Sequence, residues 1–334
     1  MNKEKSVLVT GGAGYIGSHI VLSCLDAGYK VIVIDKDKKA CDHLIKCTKR
    51  RKKIKVFNAD IDNDVYIDGI FTNENIGAVI HCAAYISVPE SVDNPLKYYA
   101  NNTAKTTKLL YKMKKHNINL FLFSSTAAVY GIPDRESERG ITEKTPCKPI
   151  NPYGESKLMV ETILKRHSLQ NPNFRYVSFR FFNVAGSDIS NRVQDIHWKK
   201  KGNIVPKLLN SVLNKKGFQV FGTDYDTDDG SCVRDYIHPT DLATAHMLAL
   251  GNDKLKGVYN LGSKKGNSVW EVIKSTVRVT DEEIEIEHAK RRKGDPPVLT
   301  ADPKKFMEAS GWEPSYTMKE IISTAYKAYK KVSK

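Results

Sequence analysis

No stretch of this chain is long and apolar enough to cross a bilayer, which takes about 20 consecutive apolar residues. The N-terminal segment 1–5 runs instead into a short apolar strand followed by glycines, neither a signal peptide nor a spanning helix, so the expectation is a cytoplasmic protein with no membrane partner. Low-complexity tracts and internal repeats are absent as well. With 334 residues, 40% of them hydrophobic, the chain is long enough for one large α/β domain or two unequal ones. Cysteine is scarce, six in all, scattered through predicted helices, strands and loops with no C-x-x-C pair. That pattern reads as free thiols in a reducing compartment, not as disulfides, and no metal is expected.

Acidic residues are also in short supply. There are 38 Asp and Glu against 53 Lys and Arg, a formal net charge of +15, and much of the excess lies at 46–55 and 199–201. Such a patch either holds nucleic acid or keeps a surface solvated. The first run carries no stacking aromatics and no nucleic-acid motif accompanies either, so both read as solvated faces and no nucleic-acid partner is expected. The same field would help to draw in a doubly anionic substrate.

What is present is an orderly alternation. Short β-branched runs at 6–10, 31–34, 54–57, 78–81, 120–123 and 175–179, with helical segments between them, predict parallel βαβ units. The expected fold is α/β, a Rossmann-type doubly wound parallel sheet with a smaller C-terminal α/β substrate-binding domain. Residues 1–183 read as the domain of that large sheet, with 234–262 packing back onto it, and 184–334 as the smaller domain. Helices are expected at 204–214, 240–250 and from Met318, and a short strand at 258–261.

The first predicted strand runs into a glycine loop and then a helix. Gly12, Gly14 and Gly17 satisfy a G-x-G-x-x-G spacing, and Gly11, Gly14 and Gly17 satisfy G-x-x-G-x-x-G. Such glycines allow a tight turn and close approach of the backbone to a pyrophosphate resting on the helix N-terminus. Asp35 closes the second strand at the offset of a carboxylate that binds a ribose diol, which favours NAD over NADP, although Lys36 follows it directly. Asp60 and Ile61 either grip the adenine or are ordinary strand-end packing. The small residues Ala83 and Ala84, after the fourth strand, stand where a dinucleotide must pass or are packing of the same kind.

Tyr153 and Lys157 are four apart on a predicted helix that Asn151 can cap and Pro152 can start, so the lysine stands beneath the tyrosine on one face. To act as a base near neutrality a phenol must have its pKa lowered by about three pH units, about 4 kcal/mol. Lys157 and a positively charged nicotinamide ring are both candidates to supply that. Alone the pair is also compatible with a plain amphipathic surface helix.

Taken together, the segments 10–18, 89–91, 98–102, 123–131, 152–158, 180–183, 228–238, 259–262 and 291–295 resemble the extended short-chain dehydrogenase/reductase family, and within it the 4-epimerases of UDP-glucose and UDP-galactose. The resemblance covers nearly the whole chain. It implies that Tyr153 takes the proton from the sugar 4-hydroxyl, that Lys157 holds the nicotinamide ribose and depresses the tyrosine pKa, and that Thr126 hydrogen-bonds the same hydroxyl. It implies a cofactor site of Gly11, Gly14, Tyr15, Ile16, Gly17, Asp35, Asp60, Ile61, Ala83, Ala84, Asn101, Ser124, Tyr153, Lys157 and Phe182. It implies a UDP-sugar site of Thr126, Asn183, Asn203, Val220, Phe221, Arg234, Arg292, Asp295 and Leu299, the arginines on the diphosphate and Asp295 on the uridine ribose. Read without it, Arg291 and Arg292 are a surface pair and Asp295 a turn residue. A homodimer, built on the helices that begin near Pro95 and Pro152, is implied too.

Related dehydratases carry an Asp-Glu pair just after the threonine and related decarboxylases a glutamate; here Ala127 and Ala128 stand there, which favours plain epimerisation. Three positions depart from the family pattern. Ile86 replaces a lysine found near the cofactor in some members, the stretch after Asp35 is lysine-rich, and Leu299 occupies a pocket-wall position whose bulk governs entry of a 2-N-acetyl group. The smaller Leu299 raises the expectation of activity on UDP-N-acetylglucosamine and UDP-N-acetylgalactosamine. The competing readings are a 4-epimerase of another UDP-sugar, N-acetylated or glucuronate, and a non-catalytic NAD- or nucleotide-sugar-binding protein.

Overall fold

A parallel sheet of seven strands carries the first part of the candidate site. The computed structural model describes residues 1, 3–134, 140–292 and 294–333; Lys293, inside the 291–295 motif, lies outside them. In chain order the strands are β1 (Ser6–Thr10), β2 (Lys30–Asp35), β3 (Ile54–Asn58), β4 (Ile76–His81), β5 (Leu120–Thr126), β6 (Arg175–Phe181) and β7 (Asn183–Val184). They continue with β8 (Phe218–Phe221), β9 (Val233–Ile237), β10 (Gly257–Leu261), β11 (Gly266–Ser268), β12 (Ile286–Ala289) and β13 (Val298–Leu299). The helices are α1 (Tyr15–Asp26), α2 (Lys38–Thr48), α3 (Asp64–Asn73), α4 (Val88–Asp93), α5 (Pro95–Tyr98) and α6 (Lys105–Lys115). After them come α7 (Pro152–Gln170), α8 (Ile204–Asn214), α9 (Pro239–Gly251), α10 (Val269–Thr280), α11 (Lys304–Ser310) and α12 (Met318–Val332).

The large sheet has the order β10-β6-β5-β4-β1-β2-β3, all parallel. Its central strands are buried on both faces, which is why they read as unbroken apolar runs. In β1, Val7 and Val9 join the core beneath α1 and α9 while Leu8, pointing the other way, joins the core beneath α3, α6 and α7. The chain leaves β1 and β4 toward opposite edges, so a crevice opens at their carboxyl ends. The sequence places strand ends at 123 and 179; the structure continues β5 to Thr126 and β6 to Phe181, which brings Ser124 to Thr126 onto the sheet.

α7 forms as its cap predicts: Asn151 Oδ1 accepts from the Gly154 amide at 2.9 Å, with Pro152 in the first turn. Between α5 and α6 the helix passes through a π-helical segment, Tyr99–Ala104. Its widened turn directs Asn102 to Ser156 of α7 at 3.1 Å.

The second half builds a smaller unit. β9 lies between β11 and β13 and also pairs with β7, β8 pairs with β12, and α8, α10 and α12 enclose a core in which the Trp198 and Tyr329 rings stack at 4.3 Å. β10 pairs with β6 in the large sheet, and α9 packs against α1. The strands of two to five residues in this half carry too few positions for a period to show in sequence. No helix among the described residues is long and apolar enough to cross a membrane.

Candidate active site

The crevice between β1 and β4 holds a cavity lined by Gly11, Gly14, Asp35, Asp60, Ile61, Ala83, Ala84 and Asn101, eight of the residues expected to bind the cofactor. Gly11 has φ +67°, and a Cβ there would stand 2.6 Å from the Ala83 nitrogen. At Gly17 a Cβ would stand 2.2 Å from the Gly11 carbonyl oxygen, so α1 closes directly on the loop. At Gly12 it would meet mainly the Val33 side chain, at 2.9 Å. The backbone therefore requires glycine at positions 11 and 17, whereas a Cβ at Gly14 would stand 3.3 Å from the Gly11 carbonyl oxygen. Gly14 caps α1 without a side-chain bond, which leaves the first amides of that helix free for an anion.

Asp35 ends β2 with one carboxylate oxygen accepting from the Ala13 amide at 3.1 Å and the other from the Asp37 amide at 3.0 Å. Burial pushes its carboxyl above the usual value against the pull of those amides. Lys36 turns to the Tyr85 hydroxyl at 2.7 Å and lies over that ring, while Asp37 lines the cavity beside Asp35. Two adjacent carboxylates disfavour a 2′-phosphate. Asp60 also lines the cavity, but its Oδ2 is held by Lys105 at 2.7 Å. Tyr15, Ile16 and Gly17 begin α1 beside the cavity, and Tyr15 donates to the Gly186 carbonyl at 2.8 Å.

Tyr153 and Lys157 stand on the first turns of α7 against the end of β5. Lys157 Nζ donates to the Ser124 carbonyl at 2.8 Å, and burial lowers its pKa to about 8. Tyr153 stands beside Thr126; burial pushes the phenol up and the neighbouring Thr126 hydroxyl pulls it down. Thr126 is the neighbour that pulls the phenol down here, and the Lys157 ammonium is bonded to the Ser124 carbonyl. Ser124 Oγ reaches Cys82 Sγ, on the cavity wall, at 3.2 Å, and Thr126 is in register with Phe181, two residues before Asn183. The end of β5 thus lies between the first cavity and a second.

That second cavity is lined by Asn183, Asn203, Val220, Phe221, Arg234, Arg292 and Asp295, which the sequence separates by up to 112 positions. Arg234 pairs with Asp295 at 3.3 Å, and the Arg292 guanidinium lies 3.9 Å over the Phe221 ring. Asn203 starts α8 without using its side chain as a cap. Thr126 and Leu299 are not among the lining residues: Leu299 packs with Ala127, Val129, Tyr130, Ile141 and Phe182 in an apolar cluster next to Thr126. Ile86, at the first departure from the family pattern, is exposed.

Two residues that sequence reasoning passed over sit in these walls. His197 lines the first cavity and its Nε2 lies 2.7 Å from Asp37 Oδ2, a contact across 160 positions that no local pattern signals. Lys201, read as part of a solvated basic run, is mostly buried: it pairs with Asp195 at 2.6 Å, covers the Tyr15 ring at 3.6 Å and lines the second cavity. Trp198 enters the core three residues earlier and turns the run inward. The other run, 46–55, is largely exposed as expected.

The NAD dependent epimerase/dehydratase family matches residues 7–262. The UDP-glucose 4-epimerase of Halalkalibacterium halodurans is 43% identical over 322 residues, covering 95% of this chain and 93% of its own length. Among solved structures, UDP-glucose 4-epimerase from Bifidobacterium longum, in complex with NAD+ and UDP, superposes with a TM-score of 0.89 at 36% identity over 98% of both chains. The UDP-Glc/GlcNAc 4-epimerase of Campylobacter jejuni superposes with a TM-score of 0.85 at 37% identity, covering 98% of this chain and 99% of that one.

Proposed function

The chain belongs to the NAD dependent epimerase/dehydratase family, and on that premise we propose that it inverts C4 of the hexose in UDP-glucose and UDP-galactose, with NAD as its resident cofactor. The observation that carries this reading is the pairing of Tyr153 with Thr126 at the end of β5, between a cavity shaped for a dinucleotide and a second one rich in guanidinium and ammonium groups.

The residues present fit NAD. Gly11, Gly14 and the uncapped start of α1 with Tyr15, Ile16 and Gly17 receive the pyrophosphate, Asp35 accepts from the adenosine ribose, and Asp60, Ile61, Ala83, Ala84 and Asn101 complete the groove. Ser124, Tyr153, Lys157 and Phe182 belong to the nicotinamide end. NAD, when bound, would supply a reversible hydride acceptor for the C4 hydrogen of the sugar.

Tyr153 removes the 4-hydroxyl proton and gives it back, Thr126 orients that hydroxyl, and Lys157 keeps positive charge at the nicotinamide ribose. Asn183, Asn203, Arg234, Arg292 and Asp295 hold UDP: forked guanidinium donors suit diphosphate oxygens and a carboxylate suits a diol. Val220 and Phe221 supply the apolar wall. A firm grip on UDP with a loose one on the hexose lets the keto sugar turn over between its two hydride transfers. Ala127 and Ala128 put no carboxylate where elimination of water would need one.

Leu299, smaller than a tyrosine and seated beside Ala127 and Phe182, favours a second activity on the N-acetylated UDP-hexoses. Residues 1–183 with 234–262 form the NAD-binding unit and the rest of 184–334 the UDP-sugar unit. A cytoplasmic homodimer belongs to the same proposal. Its support is apolar surface on the helices beginning near Pro95 and Pro152, where Leu96 is 79% exposed, Met159 45%, and Tyr111 on the adjoining α6 73%.

Incubation of the purified protein with UDP-galactose and no added cofactor, followed by NMR, tests the reading. UDP-glucose is the expected product; no conversion with or without added NAD would overturn it.

A further inference from the structure

Three rungs join β5 to α7, and only two of them are used above. Tyr153 meets Thr126, Lys157 meets the Ser124 carbonyl, and one turn further along the helix Glu161 accepts from Ser125 Oγ at 2.5 Å. Positions 153, 157 and 161 rise in one row because each is four residues from the next. Arg180 of β6, the register partner of Ser125, grips Glu161 from the other side, Nη2 to Oε2 at 2.6 Å and Nε to Oε1 at 3.1 Å. Arg180 also donates to the Tyr130 hydroxyl at 2.8 Å, which donates to Asn260 Oδ1 of β10 at 2.7 Å.

Lys157 is 2% exposed and Glu161 and Arg180 5% each. An ion pair so buried is a weak source of stability, since apolar side chains of similar volume serve a core as well or better. Its position offers another use. Around Lys157 stand Cys82 and His81 from the end of β4, the Phe123 ring at 4.8 Å, Tyr153 and Glu161. Burial keeps the Cys82 thiol, at about 11, the Tyr153 phenol and the His81 imidazole neutral near pH 7, which leaves Glu161 as the anion acting on the lysine. Around Glu161 itself stand Arg180, Tyr176 and Cys147, with Tyr130 bonded to Arg180 and Glu143 beyond Tyr130.

Resting on the function proposed above, we propose that Glu161, pinned by Ser125 and Arg180, is a positioning residue that supplies the countercharge for the Lys157 ammonium and fixes α7 against β5, so that Tyr153 stays opposite Thr126. Losing that countercharge makes Lys157 deprotonate at lower pH, and activity that needs its charge is lost on the alkaline side first.

The test combines the pH profile of UDP-galactose turnover with an NMR titration of Lys157 in protein labelled at lysine Cε, the signal assigned with Lys157→Arg. In Glu161→Gln the alkaline limb of kcat/KM and the Lys157 titration should both move down by about one pH unit. The double variant Glu161→Gln/Arg180→Met leaves no unpaired guanidinium beside position 161, so it should regain melting temperature while its limb and titration stay displaced; it also carries the test if the single variant does not fold. A double variant with a wild-type profile, or an unmoved Lys157 titration in every folded variant, overturns the proposal. Wild-type protein that does not turn over UDP-galactose would defeat the functional reading, and the titration would still decide the role of Glu161.

Discussion

Arg234 and Asp295, 61 positions apart, form an ion pair at 3.3 Å on the wall of the second cavity. Each holds the other in place on that wall, and in the proposed UDP site the two substitutions should differ. Arg234→Ala removes a charge-assisted bond to the diphosphate and leaves Asp295 facing it, and UDP affinity should fall about 10- to 100-fold. Asp295→Asn, which keeps the shape and frees the arginine, should cost less. Calorimetry with UDP measures both; wild-type affinity in Arg234→Ala would remove that residue from the site.

Tyr153→Phe should retain NAD, fold and UDP affinity while kcat falls about 10²- to 10⁴-fold, the contribution of a positioned acid-base group. Thr126→Val should cost about tenfold, one hydrogen bond in the transition state. Steady-state rates with UDP-galactose check both, and a near-normal rate in Tyr153→Phe would sink the assignment of the base.

Three of the four loop glycines, Gly11, Gly12 and Gly17, adjoin different neighbours. Gly17→Ala places a methyl 2.2 Å from the Gly11 carbonyl oxygen, and Gly11→Ala adds a left-handed φ to a 2.6 Å clash with backbone. Each should lower stability by about 1–3 kcal/mol or more and release NAD. Gly12→Ala, which meets mainly the Val33 side chain, should do less. Denaturant unfolding and the NAD content of purified protein rank them, and equal damage at all three would refute the distinction.

His81 accepts from the Thr10 hydroxyl at Nδ1 (2.7 Å) and donates from Nε2 to Thr106 (2.8 Å), whose own hydroxyl is donated to the Asn102 carbonyl. Burial drops its pKa to about 3. A folded pKa below the unfolded value means that stability is complete above about pH 6.5 and is lost as pH falls toward 3, by about 2 kcal/mol at pH 5 from this residue alone. Denaturant unfolding at pH 7 and pH 5 should show a smaller loss in His81→Gln than in wild type; equal losses would contradict it.

Leu299→Tyr should abolish turnover of UDP-N-acetylgalactosamine while leaving UDP-galactose turnover largely intact, because added bulk beside Ala127 and Phe182 would extend toward the hexose and exclude only the 2-N-acetyl group. Parallel NMR assays decide it. Loss of both activities, or of neither, would count against Leu299 as the gate.

Much of the first half was legible in sequence for a physical reason. Strands buried on both faces, such as Ser6–Thr10 with its unbroken Val7, Leu8 and Val9, have no solvent-facing positions to blur them, and the Asn151–Pro152 start of α7 is read from two adjacent residues. The second half hid more. β7 and β13 are two residues each, and they form because β9 is there to pair with, not because of their own pattern.

The sequence by itself determined the glycine loop, Asp35 at its strand end, and the spacing of Tyr153 and Lys157, because each depends on neighbours within one turn or one strand. Only the tertiary structure decided which loop glycines the backbone requires, that Lys201 is drawn inward over Tyr15, that His197 reaches Asp37 and that Glu161 is gripped by Arg180. These are contacts between segments brought together by sheet order and core packing, and nothing in local periodicity records them.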